Sequence, residues 1–171
     1  VLSLPDQRFH LIACDVGQGD AILAIYGKFE ILTDGGPPNG KVLDCLSRYL
    51  PFWDREIEVV VNTHPQLDHY GGLIEVFKRY KVDNFVANAL DSQSKEYQEL
   101  KKQVERSGAK IINPNESTKI RYGKIGYDIF WPSKGFIETF EGKPSDGVLG
   151  TYTSKRDPND FSIQAILSYG T

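Results

Sequence analysis

The chain has 171 residues, 40% of them apolar, which suits one domain with a sizeable core and leaves no second domain to assign. No stretch approaches the about 20 apolar residues that a membrane span requires, and no signal peptide opens the chain, so it reads as soluble as given. A net charge of −3 sets the surface as a whole against nucleic acid, so DNA contact would have to come from local basic clusters.

Phe9 to Val16 is apolar at nearly every position, the pattern of a strand covered on both faces. Gly17-Gln18-Gly19-Asp20 interrupts it, and Ala21 to Tyr26 resumes as a second strand. The Gly-x-Gly turn fails as a dinucleotide fingerprint, because Ile22 stands where the third glycine is needed and no helix pattern follows. Cys14 lies in the first strand-like run and Cys45 in a helix-like one. Two cysteines so placed show neither a metal-ligand spacing nor a disulfide framework, and both read as buried thiols.

Glu30 to Thr33 is a third strand, closed by the breaker-rich Asp34-Gly35-Gly36-Pro37-Pro38. Val42, Leu43, Leu46 and Leu50 recur at helical spacing until Pro51, and Ile57 to Val61 is a buried strand. Leu73, Ile74, Phe77 and Tyr80 mark a further helix, Val82 to Ala87 a strand. Ser94 caps a helix with Tyr97, Leu100 and Val104 on one face and Gly108 at its end. The outer face of that helix carries Lys95, Lys101, Lys102 and Arg106, a charged face more often solvated than bound to DNA.

Ile111-Ile112 is a brief strand, and Ile125 to Trp131 alternates as half of an antiparallel pair before Pro132. Ser133 to Asn159 has no clean period and reads as a long loop. Phe161 to Leu167 looks like a closing strand. The start at Val1 and the stop at Thr171 directly after that strand read as a fragment of a longer protein.

Between the buried strand and the next helix stands Thr63-His64-Pro65-Gln66-Leu67-Asp68-His69-Tyr70-Gly71-Gly72. Two of the chain's three histidines fall within six positions, and with Asp68 they form a ligand set suited to zinc or a similar divalent ion. On an extended segment His64 and Gln66 share a side, while a bend after Leu67 swings Asp68 and His69 toward a second centre. A hydrogen-bonded loop staple is the competing reading.

The segment resembles the His-x-His-x-Asp-His signature of the metallo-β-lactamase fold, with Gln66 where the second histidine would stand. Cys14-Asp15-Val16-Gly17-Gln18-Gly19-Asp20-Ala21-Ile22-Leu23 and Ile31-Leu32-Thr33-Asp34-Gly35-Gly36 agree in order and distance. Together with Asn159-x-x-Ser162 they resemble most closely the hydrolase domain of ComEC-type DNA-uptake proteins. The resemblance implies an α/β layered αββα sandwich, incomplete at its C-terminal side, in one domain over residues 1–171.

It also implies that His64 and Gln66 serve one metal and Asp68 with His69 another, with Asp68 positioning the attacking water and Asp34 bracing the loop from behind. Gly17, Gln18 and Asp20, with Asn159 and Ser162, would face the substrate, although a plain hairpin turn accounts for the glycines equally well. The ion would be zinc or manganese, one or two per full-length protein, and Gln66 favours the harder of the two. The family's later bridging aspartate and two later histidines have no counterpart here, since His10 lies upstream in a strand. The implied activity is metal-dependent phosphodiester hydrolysis on DNA during competence, in an extracytoplasmic domain of a bacterial membrane protein whose channel segments lie outside this chain. A metallohydrolase of another substrate class and a metal-free binding module are the alternatives.

Overall fold

The computed structural model describes residues 6–141 and 147–170. Three antiparallel strands, β1 (Phe9–Ala13), β2 (Ile22–Tyr26) and β3 (Phe29–Thr33), open a six-stranded sheet. Onto β3 are added β4 (Glu56–Asn62), β5 (Lys81–Ala87) and β6 (Lys110–Ile112), all parallel, so the spatial order equals the chain order. Parallel neighbours need crossovers. These are supplied by α1 (Lys41–Tyr49), by α3 (Leu73–Arg79) after the single turn α2 (Leu67–Tyr70), and by α4 (Lys95–Ser107). A smaller antiparallel sheet of β7 (Lys119–Tyr122), β8 (Ile125–Trp131) and β9 (Gln164–Tyr169) faces the larger one.

The continuous apolar runs of β3 and β4 follow from burial on both faces. Leu23, Leu32, Val60 and Phe85 turn to the helices, where they meet Val42, Leu46, Leu73 and Leu100. Phe29, Ile31, Val59 and Val61 turn the other way, onto Ile125, Tyr127 and Ile129 of the smaller sheet. Each such side chain removed from water contributes about 1.5–3 kcal/mol. The sheet is thereby fixed between two layers, and the loops leaving β1, β3, β4 and β5 all emerge at one edge. At the start of α4 Ser94 accepts the Tyr97 N–H, and Gly108 ends it with φ +71°.

Three expectations are corrected. β1 is an edge strand, with Leu11 57% exposed; an apolar run records affinity for a core without saying what covers it. Cys14 and Cys45 are joined in a disulfide across 31 residues, with Cα atoms 5.7 Å apart, because the loop after β1 lies over the inner face of α1. The Ser133–Asn159 stretch holds α5 (Lys134–Glu141), a 3₁₀ turn at Pro158–Phe161 and a bridge between Leu90 and Tyr152. Phe136 holds α5 in place through ring contacts with Trp131 at 4.5 Å and Phe161 at 5.1 Å. Gly142 and Pro144 of that stretch lie outside the described residues.

β3 carries one uncompensated polar group. Glu30 is buried, and among the described residues its Oε2 has no hydrogen-bond partner. Burial first, and then the neighbouring Glu58, push its pKa up to about 10 from the ordinary 4.5. Between those values the unfolded chain binds fewer protons than the folded one, so stability is full below about pH 4.5 and is lost as pH rises toward 10. Glu30→Gln is therefore expected to be more stable than the wild type by on the order of 2 kcal/mol at pH 7, with the gap closing toward pH 4.5. Urea titrations at the two pH values check this, and a gap that does not change with pH would clear Glu30 of the effect.

Candidate functional site

After Asn62 the chain leaves β4 as Thr63-His64-Pro65-Gln66. Proline disfavours helix at the residue before it, which keeps His64 extended. Gln66 is also extended, at φ −103° and ψ 141°, and caps α2. Asp68 and His69 thus sit in a helical turn in place of the expected bend after Leu67. Backbone bonds tie this turn to the other loops. Gly35 N–H donates to His69 O at 2.7 Å, Gly72 N–H to Gly36 O at 2.9 Å, and Gly36 N–H to Asp20 O at 2.8 Å. The loops approach so closely that a Cβ on Gly19 would lie 1.8 Å from Asp68 O, and one on Gly72 2.1 Å from Gly35 O.

At the centre is the buried carboxylate of Asp34. Its Oδ1 accepts from Thr63 N–H at 2.8 Å and from the Asn62 amide at 3.3 Å, while Oδ2 accepts from Thr63 Oγ1 at 2.7 Å and His69 Nδ1 at 2.9 Å. Asp20 stands further out, its Oδ2 3.9 Å from His69 Nδ1. The bond to Asp34 raises the His69 pKa against the opposing effect of burial; burial lowers that of His64. The two rings lie 4.2 Å apart, centroid to centroid.

Thr63 has one hydroxyl hydrogen and two claims on it, since Oγ1 lies 2.7 Å from Asp34 Oδ2 and 2.9 Å from His64 Nδ1. If the hydrogen goes to Asp34, His64 carries its proton on Nδ1 and turns a lone pair at Nε2 outward. If it goes to His64, the proton sits on Nε2 and donates to Gln66 Oε1, 3.0 Å away. Only the first arrangement leaves a ligating nitrogen. His69, with Nδ1–H held by Asp34, presents Nε2 in either case.

The structure brings His64, Gln66, Asp68, His69, Asp34 and Asp20 to one edge, with Gly17 and exposed Gln18 on the adjoining turn. Asn159 and Ser162 arrive beside it, because Ile163 N–H donates to Thr63 O at 2.9 Å, but the Asn159 amide is turned to Asp157 at 2.8 Å. Three residues were missed: Thr63, Asn62, and Asn88, whose amide bonds Thr63 O at 3.3 Å and Phe161 O at 3.0 Å. A polar pair ending an apolar strand was the available signal for the first two.

Tested for a divalent ion, the described residues fall short. A catalytic zinc takes three protein ligands, and no group of three His, Cys, Asp or Glu among the described residues converges to hold a metal ion. The edge offers two imidazoles, one amide oxygen and the carboxylates of Asp68 and Asp20, which do not converge three at a time.

Asp34→Ala strands four donors and is expected to cost about 4 kcal/mol. Gly19→Ala, which also forces a side chain onto φ +82°, is expected to cost about 3 kcal/mol by displacing the Asp68 turn. Denaturant titration measures both, and a wild-type midpoint in Asp34→Ala would show that the network does not hold the loops.

Comparison with known proteins bears on the fold and the family. The model of the metallo-β-lactamase superfamily matches residues 14–155, and no curated protein sequence matches significantly. Among solved structures, a Cronobacter sakazakii metallo-β-lactamase described as a HARLDQ motif mutant is 15% identical, with a TM-score of 0.51, covering 76% of this chain and 54% of that one. The metallo-β-lactamase SMB-1, bound to 2-mercaptoethanesulfonate, is likewise 15% identical with a TM-score of 0.51, covering 76% of this chain and 55% of its own. At that identity the likeness is one of fold, and the chain spans about half the length of the structures it matches. Superfamily members typically bind divalent metals. With the family model covering most of its length, this chain belongs to the metallo-β-lactamase superfamily.

Proposed function

We propose that this chain supplies the histidine and aspartate half of a metal-dependent hydrolase site of the ComEC type, one that in the longer protein cleaves phosphodiester bonds of DNA during uptake. The observation carrying this reading is the Asp34 carboxylate, which holds His69 Nδ1 directly and His64 Nδ1 through Thr63. A loop staple gains nothing from fixing two imidazole tautomers, whereas a pair of metal ligands does. The motif resemblance supplies the substrate class, since fold alone does not.

A bound divalent ion would supply water ionised near neutral pH. The described donors do not converge in a group of three, so zinc or manganese would be held in the longer protein. What this chain's residues do is prior to that chemistry. They fix ring orientation and bury His64, which disfavours the doubly protonated ring as pH falls.

The second reading, a metal-free binding module, is favoured by the contact between Gln66 Oε1 and His64 Nε2, the nitrogen a metal would need. Zinc and manganese titrations of the wild type and Gln66→His separate the two. Weak binding in the wild type, strengthened at least about tenfold for zinc in Gln66→His and shifted away from manganese, is the expected result, because imidazole is the softer donor. Negligible binding by both proteins would leave the module reading.

A further inference from the structure

The turn that carries Gly17 to Asp20 into the candidate site hangs from the end of β1, and β1 is an edge strand. Its one neighbour in the sheet is β2, and Leu11 in its middle is 57% exposed. Elements with so few buried contacts open more readily than the rest of a fold. The site needs this one held still. A Cβ on Gly19 would lie 1.8 Å from Asp68 O, Asp20 O accepts the Gly36 N–H at 2.8 Å, and Asp20 Oδ2 stands 3.9 Å from His69 Nδ1. Approaches that close leave no slack, so a shift of the turn is felt at Asp68 and His69.

Two attachments hold the turn to α1. One is a hydrogen bond, from the Asn39 amide just ahead of the helix to Val16 O at 2.9 Å. The other is covalent, since Cys14, the residue after β1, is joined to Cys45 in the middle of α1. α1 is the firm side of that bond, because Val42 and Leu46, flanking Cys45, are fully buried in the helix layer. The disulfide thus ties the loose end of the sheet to a packed element. It is not sealed in a core itself. Cys14 and Cys45 are 8% and 9% exposed and line an open cleft with Asp15, Lys41, Arg48 and Tyr49. A disulfide in such a cleft is within reach of an attacking thiolate, and access is what separates labile bonds from inert ones.

We propose that the Cys14–Cys45 bond is a thiol-sensitive clasp on the candidate site: closed, it sets the Gly17–Asp20 turn against the Asp68 turn, and opened by a dithiol it releases both. One thiolate of the dithiol attacks a sulfur of the clasp, and the S–S bond breaks to a mixed disulfide and a thiolate on the chain. The second thiol of the reductant then displaces the remaining sulfur. Two electrons and two protons pass to the chain, which ends with two thiols, while the dithiol ends as a disulfide. In an oxidising compartment the clasp stays shut. It regulates the hydrolase site proposed above and rests on that reading for its consequence, whereas its opening is read without metal or substrate.

Dithiothreitol added to the folded chain, followed by alkylation and intact mass, shows whether the bond opens in the native state. Amide hydrogen exchange of the oxidised and reduced chains shows what the opening releases. Both cysteines are expected to alkylate without denaturant. On reduction the amides of Val16, Gly35 and Gly36, which donate to Cys14 O, His69 O and Asp20 O, should exchange at least about tenfold faster, while those of Val60 in β4 and Phe85 in β5 stay within about twofold. Cys14→Ser combined with Cys45→Ser should show the same pattern without reductant and no further change with it. A bond that resists dithiothreitol until urea unfolds the chain overturns the proposal, as does a reduced chain with unchanged exchange at Val16, Gly35 and Gly36. Acceleration by one common factor at all of these amides, or unfolding on reduction, also overturns it, because the disulfide would then be a staple of the whole fold. Failure of the hydrolase reading shows elsewhere, as negligible zinc and manganese binding by the oxidised wild type and Gln66→His alike, and leaves these exchange rates where they are.

Discussion

Everything at the functional edge depends on one carboxylate held in an unusual backbone state. Asp34 has φ +58°, the one positive value among non-glycine residues described, in a region that Asp and Asn enter more readily than other side chains. That geometry ends β3 abruptly and keeps Asp34 under the end of β4, with its amide on Val61 O and its carboxylate on Thr63. Strain of this kind persists only where the surroundings over-determine it. Here four donors do so, and each belongs to a residue that must be placed if the histidines are to be placed.

The same strand shows what happens without such donors. Glu30 on β3 and Asp34 just past its end are both buried carboxyls, four residues apart. A buried charge survives only with partners. Asp34 has a full set of them, whereas Glu30 has a neighbouring carboxylate and takes up a proton instead. Stability is thus spent at both ends of one strand, but only at the Asp34 end does the expenditure position anything.

How much of this was legible follows from what each signal encodes. Buried parallel strands announced themselves, because Ile57, Val59, Val60 and Val61 have two faces to cover. The partner of a covered face is not encoded, so β1 was read as central although it is an edge. The Cys14–Cys45 link depends on two layers meeting across 31 residues, which no spacing rule contains. α5 was hidden by Gly135 within its first turn, and β7 by its polarity, with only Ile120 turned to the core. At the site, spacing found His64, Asp68 and His69. It could not find Thr63, since a threonine becomes a relay only through the Asp34 on the neighbouring strand.

That relay changes what Gln66 means. Read as a motif position, Gln66 is a weaker ligand standing where a histidine belongs. In the folded site it is a competitor, because its Oε1 faces the very nitrogen that His64 would offer. The competition is decided one residue away. Asp34, by accepting the Thr63 hydroxyl, favours the His64 tautomer with a free Nε2, and a charge-assisted bond at 2.7 Å outweighs a neutral one at 2.9 Å. In that tautomer Gln66 can no longer accept from the ring and must turn its amide nitrogen to it or leave. A histidine at position 66 would face no such conflict, since either of its nitrogens can be left bare. The glutamine therefore makes ligation conditional on the Asp34–Thr63 bond, and this conditionality, more than the softness of the donor, is what separates this site from one with imidazole at the same position.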